Sequence, residues 1–381
     1  MKIKLALKEF TKALSVAMRA IAARPTLPIL NYMLINAEGD RVTLTGYDME
    51  MGMGIRVSFA GEVIDKGSVA VKGRTLSDII SNVPEDEIES IEFDFNDIQR
   101  VMLTAGRGEF TLVGKPGSEY PKLPEVGEED EVLTLSVERF MSDLKRTIYA
   151  CSMEMPKNFT SGVLLSLKGE MLQVVATDGR RLAMSSDKIK SARTEGDRAV
   201  LIPAKTMHEL TRIMGMGWEG DLELHLSENL ALFRLSNGME IEIITHLLDT
   251  PYPDYEKVIP DKTEGTLGIQ RERFLKSLRQ VGIMAKQHDG RDMAVLECNS
   301  ENLTISAKAE SEGKAEIALP VKRNGEHMKI AFNYQYLLDP LLAIEEDDIN
   351  LEYSGSLDPG VLTLPSDDSF TYVIMPVRLP E

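Results

Sequence analysis

Two cysteines among 381 residues, Cys151 and Cys298, rule out a disulfide-held scaffold. No apolar run approaches the roughly 18 residues that a membrane-crossing helix requires. The first residues, M-K-I-K-L-A-L, lead directly into patterned sequence and carry no secretion signal, which predicts a cytoplasmic protein. Histidine is scarce and scattered: His208, His225, His246, His288 and His327 lack a Cys or His neighbour at metal-ligand spacing. His208-Glu209 begins like a zinc-protease helix, but Arg212 stands where the second histidine belongs. Neither a phosphate-binding loop nor a G-x-G-x-x-G stretch occurs, and Gly52-Met53-Gly54 and Gly106-Arg107-Gly108 read as strand or turn glycines. Ser142-Asp143-Leu144-Lys145 matches S-x-x-K without its partner motifs, and the N-x-T triplets at Asn158 and Asn302 have no meaning in a cytoplasmic protein. The expectation is a protein with no catalytic residue, no metal and no cofactor.

Positive charge is also in deficit. With 43 Lys and Arg against 61 Asp and Glu the net charge is -18, which taken alone argues against a phosphate-rich partner. The distribution tells more than the sum. Acidic runs occupy residues 85–89, 128–131 and 345–348, whereas Lys8, Lys12, Arg19, Arg139, Lys145, Arg146, Arg271, Arg273, Lys276 and Arg279 fall in or beside three helical stretches. One basic surface on an acidic protein is therefore predicted.

Those three stretches are the organising feature. F-M-S-D-L-K-R-T-I-Y-A from Phe140 has counterparts in F-T-K-A-L-S-V-A-M-R-A from Phe10 and F-L-K-S-L-R-Q-V-G-I-M from Phe274. Each aromatic is followed four residues later by leucine (Leu14, Leu144, Leu278) and then by apolar residues at helical spacing. The offsets, 140 minus 10 and 274 minus 140, are 130 and 134, the period of a repeated domain.

Each repeat opens on a short strand, K-I-K-L-A-L, V-L-T-L-S-V or G-T-L-G-I-Q, before its helix. A hairpin follows around Glu38-Gly39-Asp40, Lys168-Gly169-Glu170 or Ser300-Glu301-Asn302. A second amphipathic helix then carries Leu76, Ile79, Ile80 and Val83, or Met207, Leu210, Ile213 and Met214, or Leu337, Leu338, Leu341 and Ile344, with Pro340 interrupting the third. More strands close each unit near a proline. The fold class is α+β: three repeated domains, each with two helices packed on antiparallel sheet. Polar linkers at residues 124–131 and 260–265 set the domains at 1–126, 127–260 and 261–381.

Two stretches suggest a binding surface. V-A-T-D-G-R-R-L-A, residues 175–183, interrupts a strand pair with a tight turn, and the tail from Tyr372, Y-V-I-M-P-V-R-L-P-E, is apolar almost to its end. The plain reading is a hairpin and an edge strand; the sharper one is a groove for peptides.

The triplicated pattern, R-P-T-L-P-I-L at 24–30, A-T-D-G-R-R-L-A at 176–183, Y-P-D-Y at 252–255 and V-I-M-P-V-R-L at 373–379 together resemble the bacterial DNA polymerase III beta subunit family, the sliding clamps, over the whole chain. The resemblance implies the DNA clamp fold and a head-to-tail homodimer that closes a six-domain ring around duplex DNA. It implies a role in DNA replication as a processivity factor, loaded by an ATP-dependent clamp loader and tethering the polymerase III catalytic subunit, other polymerases and repair proteins, with no membrane partner. Position matching places a partner-peptide cleft at Thr177, Gly179, Arg180, Arg181, Leu182, Pro253, Val258, Val373, Met375, Pro376, Val377 and Arg378. It places DNA contacts at Arg24, Arg74, Lys157, Phe159 and Lys205, and the dimer interface at Phe110, Leu112, Ile283 and Met284. The chain departs from the family pattern at Lys257, where Arg is common, at Thr160, where a larger aliphatic residue is usual, and in the added Pro380-Glu381. Two rival readings follow from composition, a hydrolase with an unrecognised carboxylate site and a monomeric peptide-binding repeat protein. Turnover would reveal the first, and a monomer that never retains DNA the second.

Overall fold

The computed structural model describes residues 1–96, 100–127, 131–152, 161–193, 196–285, 292–299, 301–309 and 313–379. These fall into two compact units: Met1–Glu138 with Ile189–Glu195 and Lys205–Leu248, and Arg139–Lys188 with Gly196–Ala204 and Asp249–Glu381.

The first unit is built on one 14-stranded sheet, all of whose neighbours run antiparallel. Helix α1 (Leu7–Ala17) lies on it because Phe10, Ala13, Leu14 and Ala17 share one buried stripe. The Phe10 ring sits 5.3 Å from Phe93 and 6.4 Å from Phe59, a packed aromatic group under the helix. Helix α2 (Gly73–Ile80) buries Leu76 and Ile80 in the same unit.

The second unit holds a nine-stranded and a four-stranded sheet, again antiparallel among neighbours. Helix α3 (Val137–Thr147) repeats the α1 pattern with Phe140 and Leu144 buried, whereas α4 (Ala204–Met214), which from Lys205 onward belongs to the first unit, buries Met207, Leu210, Ile213 and Met214 in the manner of α2. Helix α5 (Arg271–Ala285) buries Phe274, Leu278 and Val281. Helix α6 (Tyr334–Ala343) is capped by Asn333, whose side chain accepts from the backbone amides of Gln335 and Tyr336. Pro340 lies inside α6. Having no N–H, it leaves the Tyr336 carbonyl without its helical donor, and the Tyr372 hydroxyl donates there instead at 2.7 Å.

One strand pairing occurs twice. Met53–Ala60 pairs with Met239–His246, and Arg181–Lys188 pairs with Asp367–Ile374, so in each unit a strand of one sequence repeat is continued by the last strand of the next. The tail strand Asp367–Ile374 is consequently interior, flanked by Gly360–Leu364 on its other side; the edge-strand reading of the tail is corrected, because hydrogen bonds satisfy both of its edges. Among the open strand edges of the described residues, two lie where this pairing has no counterpart. Gly313–Pro320 ends the four-stranded sheet, and residues 108–113 pair only with Arg100–Ala105.

Candidate functional site

The second of these junctions carries a groove. At the turn before Arg181–Lys188, Asp178 Oδ1 accepts from the amides of Arg180 at 2.9 Å and Arg181 at 3.1 Å, while Thr177 Oγ1 accepts from the amide of Gly179 and donates to the Arg181 carbonyl at 2.6 Å. Gly179 adopts φ 85°, a left-handed value that the tight turn requires and that side chains resist. The Arg180 carbonyl then accepts from the Met375 amide at 2.9 Å, extending the junction by one rung to the start of the tail.

Arg181 braces this corner. Its Nε donates to Asp178 at 3.0 Å, and its two terminal nitrogens donate to Asp339 at 2.5 Å and to the Tyr149 carbonyl at 2.6 Å. The guanidinium also lies over the Tyr336 ring, 4.4 Å from its centroid. Burial opposes its charge, but Tyr372, Asp339 and Asp178 outweigh burial and hold its pKa above the ordinary arginine value. Nearby, Asp143 is buried and accepts from the Ser185 hydroxyl at 2.6 Å; desolvation pushes its carboxyl up to about 6 despite that bond.

Two cavities share Arg180 and Met375. The first, about 200 Å³, is walled by Thr177, Gly179, Arg180, Arg181, Leu182, Pro253, Tyr255, Val258, Val373 and Met375. The second, about 350 Å³, adds Asp292, Met293, Asn333, Tyr336, Pro376 and Val377. The structure thus brings together eleven of the twelve positions matched to a cleft; Arg378 is exposed and lines neither cavity. Tyr255, Asp292, Met293, Asn333 and Tyr336 were missed. Tyr255 was detectable in Y-P-D-Y, whereas the others reach the groove only through strand and helix packing. Tyr255 is tied back by its hydroxyl, which donates to Gln173 Oε1 at 3.0 Å, so its ring serves as a wall. Apolar side chains, a polarisable thioether and a rim arginine suit non-covalent capture of apolar side chains.

Among the described residues no cluster of His, Cys, Asp or Glu can hold a metal, and no described helix is long and apolar enough to cross a membrane. Cys151 and Cys298 are buried, and desolvation pushes the Cys151 thiol up to about 12. Glu209 bridges Arg19 at 2.8 Å and Arg212 at 2.5 Å, an ion-pair role unrelated to zinc chemistry.

The helix cations divide. Arg19 is paired with Glu209, Arg146 with Glu346 and Asp367, and Arg271 donates to the carbonyls of Leu341, Glu345 and Glu346, while Lys12 lies over Trp218 at 4.7 Å. The expectation that all of them form one basic surface is corrected for these four, whose charges are neutralised or packed. Lys8, Lys145, Arg273 and Arg279 are exposed. Of the positions matched to DNA, Arg24, Arg74 and Lys205 are exposed, Arg74 beside a cavity of about 490 Å³ that Lys72 also lines; Lys157 and Phe159, like Thr160, Pro380 and Glu381, lie outside the described residues. Of the interface positions, Ile283 is 66% exposed, and Met284, Phe110 and Leu112 are half-buried.

Comparison with known proteins agrees with this architecture. Three family models match in chain order: the DNA polymerase III beta subunit N-terminal domain over residues 1–124, the central domain over 134–254 and the C-terminal domain over 256–378. The beta sliding clamp of Staphylococcus epidermidis is 31% identical over 376 residues, 97% of each chain, and that of Synechococcus elongatus is 28% identical over 382 residues, all of each chain. The solved structure of a Pseudomonas aeruginosa sliding clamp, DNA polymerase III subunit beta, bound to griselimycin superposes with TM-score 0.91 at 26% identity, covering 100% of both chains. The chain belongs to the bacterial DNA polymerase III beta subunit family, the beta sliding clamps, which are processivity factors and not catalysts.

Proposed function

We propose that two copies of this chain join head to tail into a six-domain ring around duplex DNA, and that the ring tethers replicative and repair polymerases after an ATP-dependent loader has placed it. The observation that carries this reading is the strand pairing made twice within the chain and left unmade at two edges. Gly313–Pro320 follows its hairpin as Met53–Ala60 and Arg181–Lys188 follow theirs, and Gly108–Pro116 closes its repeat as Met239–His246 and Asp367–Ile374 close theirs. A second copy supplies the missing partner for each, with Phe110 and Leu112 meeting Ile283 and Met284. Such an interface is heterologous and closes into a ring when the rotation permits. The three domains, 1–126, 127–260 and 261–381, then become equivalent segments of the ring.

Topology explains the charge. A ring held by enclosure needs only weak, sequence-independent phosphate contacts from residues such as Arg24, Arg74, Lys157, Lys205 and the exposed helix cations, alongside Phe159. The remaining acidic surface keeps the protein from adhering to DNA from outside. The groove along Leu182, Val373 and Met375 takes short apolar peptides of the polymerases, the loader and repair proteins.

The test is retention of labelled protein on nicked circular plasmid after treatment with an active clamp loader and ATP. Retention on circles at high salt, lost when the plasmid is cut to linear form, is the expected result. Retention indifferent to DNA topology would sink the ring, and a monomer that still binds apolar peptides would favour the simpler peptide-binding repeat protein.

A further inference from the structure

The two internal junctions share one strand pairing, yet the groove described above opens beside only the second. At that junction Leu182 stands between Thr177 on one neighbouring strand and Val373 on the other, and all three line the groove. At the first, the corresponding position is Gly54, between Tyr47 and Ile244. The surrounding features match as well. Asp48 Oδ1 accepts from the amides of Glu50 and Met51 as Asp178 does from Arg180 and Arg181, and the Gly52 carbonyl accepts from the His246 amide at 3.1 Å as the Arg180 carbonyl does from Met375.

What differs is the fourth residue of the Tyr-Pro motif that ends each of the first two repeats. In Tyr252-Pro253-Asp254-Tyr255 it is Tyr255, held to the wall by Gln173. In Tyr120-Pro121-Lys122-Leu123 it is Leu123, which lies directly on Gly54: a methyl added there would sit 2.9 Å from Leu123 Cδ1 and nearer still to Cδ2. Leu123 also packs against the buried group of Leu30, Tyr47, Ala70 and Tyr120. The position equivalent to Gln173 offers no such tether, since Thr43 is engaged with the Ser58 hydroxyl at 2.9 Å.

We propose that the first junction is a second partner groove whose ligand is built into the chain, Leu123 occupying on Gly54 the place that a partner's apolar side chain takes on Leu182, so that each chain accepts one peptide and not two. This rests on the peptide-groove reading of the second junction. It assigns Leu123 as the residue that sets stoichiometry, and it explains why a glycine occupies Gly54: the bound leucine needs the space that a Cβ would fill.

The test uses the full-length chain and a fluorescent hexapeptide copying residues 120–125, Tyr-Pro-Lys-Leu-Pro-Glu. Leu123→Ala is expected to bind one equivalent more than the parent chain, and that extra equivalent should survive Met375→Asp, which closes the second groove. A folded Leu123→Ala chain with no added equivalent overturns the proposal. Loss of a parent equivalent on Met375→Asp tests the second groove separately, so the two readings fail independently. Should Leu123→Ala not fold, Gly54→Ala reports in its place: its methyl expels Leu123, and tryptic cleavage after Lys122 should accelerate about tenfold as residues 121–127 lift away. An unchanged cleavage rate in that variant would equally overturn the built-in ligand.

Discussion

The two junctions solve one packing problem in opposite ways. In the first unit the corner is filled from within by Leu123 on Gly54, and its ion pairs are more exposed, with Arg56 and Arg234 engaging Glu242 at 3.1 and 2.9 Å across the strand pair and Arg19 meeting Glu209 at 2.8 Å. In the second the corner is left open, and polar groups replace the missing filler: Arg181 engages Asp178, Asp339 and the Tyr149 carbonyl, while Arg146 engages Glu346 and Asp367. A cavity kept vacant for a guest forfeits dispersion contacts along its lining. Buried, fully paired charges hold such walls in place because any displacement leaves one of them uncompensated.

Breaking the Arg181 hub should therefore produce the largest effect. Arg181→Ala strands Asp178 and Asp339, and chemical denaturation should show a loss of about 3–5 kcal/mol. If stability falls by less than about 1 kcal/mol, bracing by charge is not what distinguishes the second junction. Asp143 sharpens the contrast through pH. Its folded pKa, about 6, lies above the unfolded value near 3.9, so the folded chain binds the proton more tightly; the associated stabilisation is present at low pH and is lost as pH rises through about 6. On lowering pH from 7 to 5 the parent chain should gain about 1.3 kcal/mol relative to Asp143→Asn, whose side chain still accepts from Ser185 but cannot titrate. Parallel stability curves for the two proteins would remove Asp143 from the account.

A smaller change is expected from Tyr255→Phe, which deletes the bond to Gln173 and should cost about 1 kcal/mol. The freed ring should also weaken peptide binding by leaning into the groove as Leu123 does in the first unit; unaltered affinity would show that the tether does not keep the wall back. Arg19→Ala should cost least, roughly 0.5–1 kcal/mol, since its pair is partly exposed, and a loss comparable to that of Arg181→Ala would erase the asymmetry between the junctions.

The helices and hairpins were readable because they depend on local periodicity. Phe10, Phe140 and Phe274 are all buried with their leucines at the next turn, and the Gly39 and Gly169 hairpins fall where alternation breaks. The groove was readable in part, since A-T-D-G-R-R-L-A and the tail supply much of its lining. Periodicity could not disclose that a strand of one repeat continues the sheet of the next, because that pairing joins residues as distant as Gly54 and Ile244. Nor could it separate Arg146, committed to two carboxylates, from its exposed neighbour Lys145, since both lie on the polar side of the helical pattern and only tertiary proximity distinguishes them.

Pro340 has a consequence in time as well as in space. Because the Tyr336 carbonyl receives its hydrogen bond from Tyr372 and not from a helix amide, the first turn of α6 is latched to the strand that runs into Met375. Amide-exchange experiments should find the α6 helix and the tail strand opening together, as a single cooperative event and at a common rate.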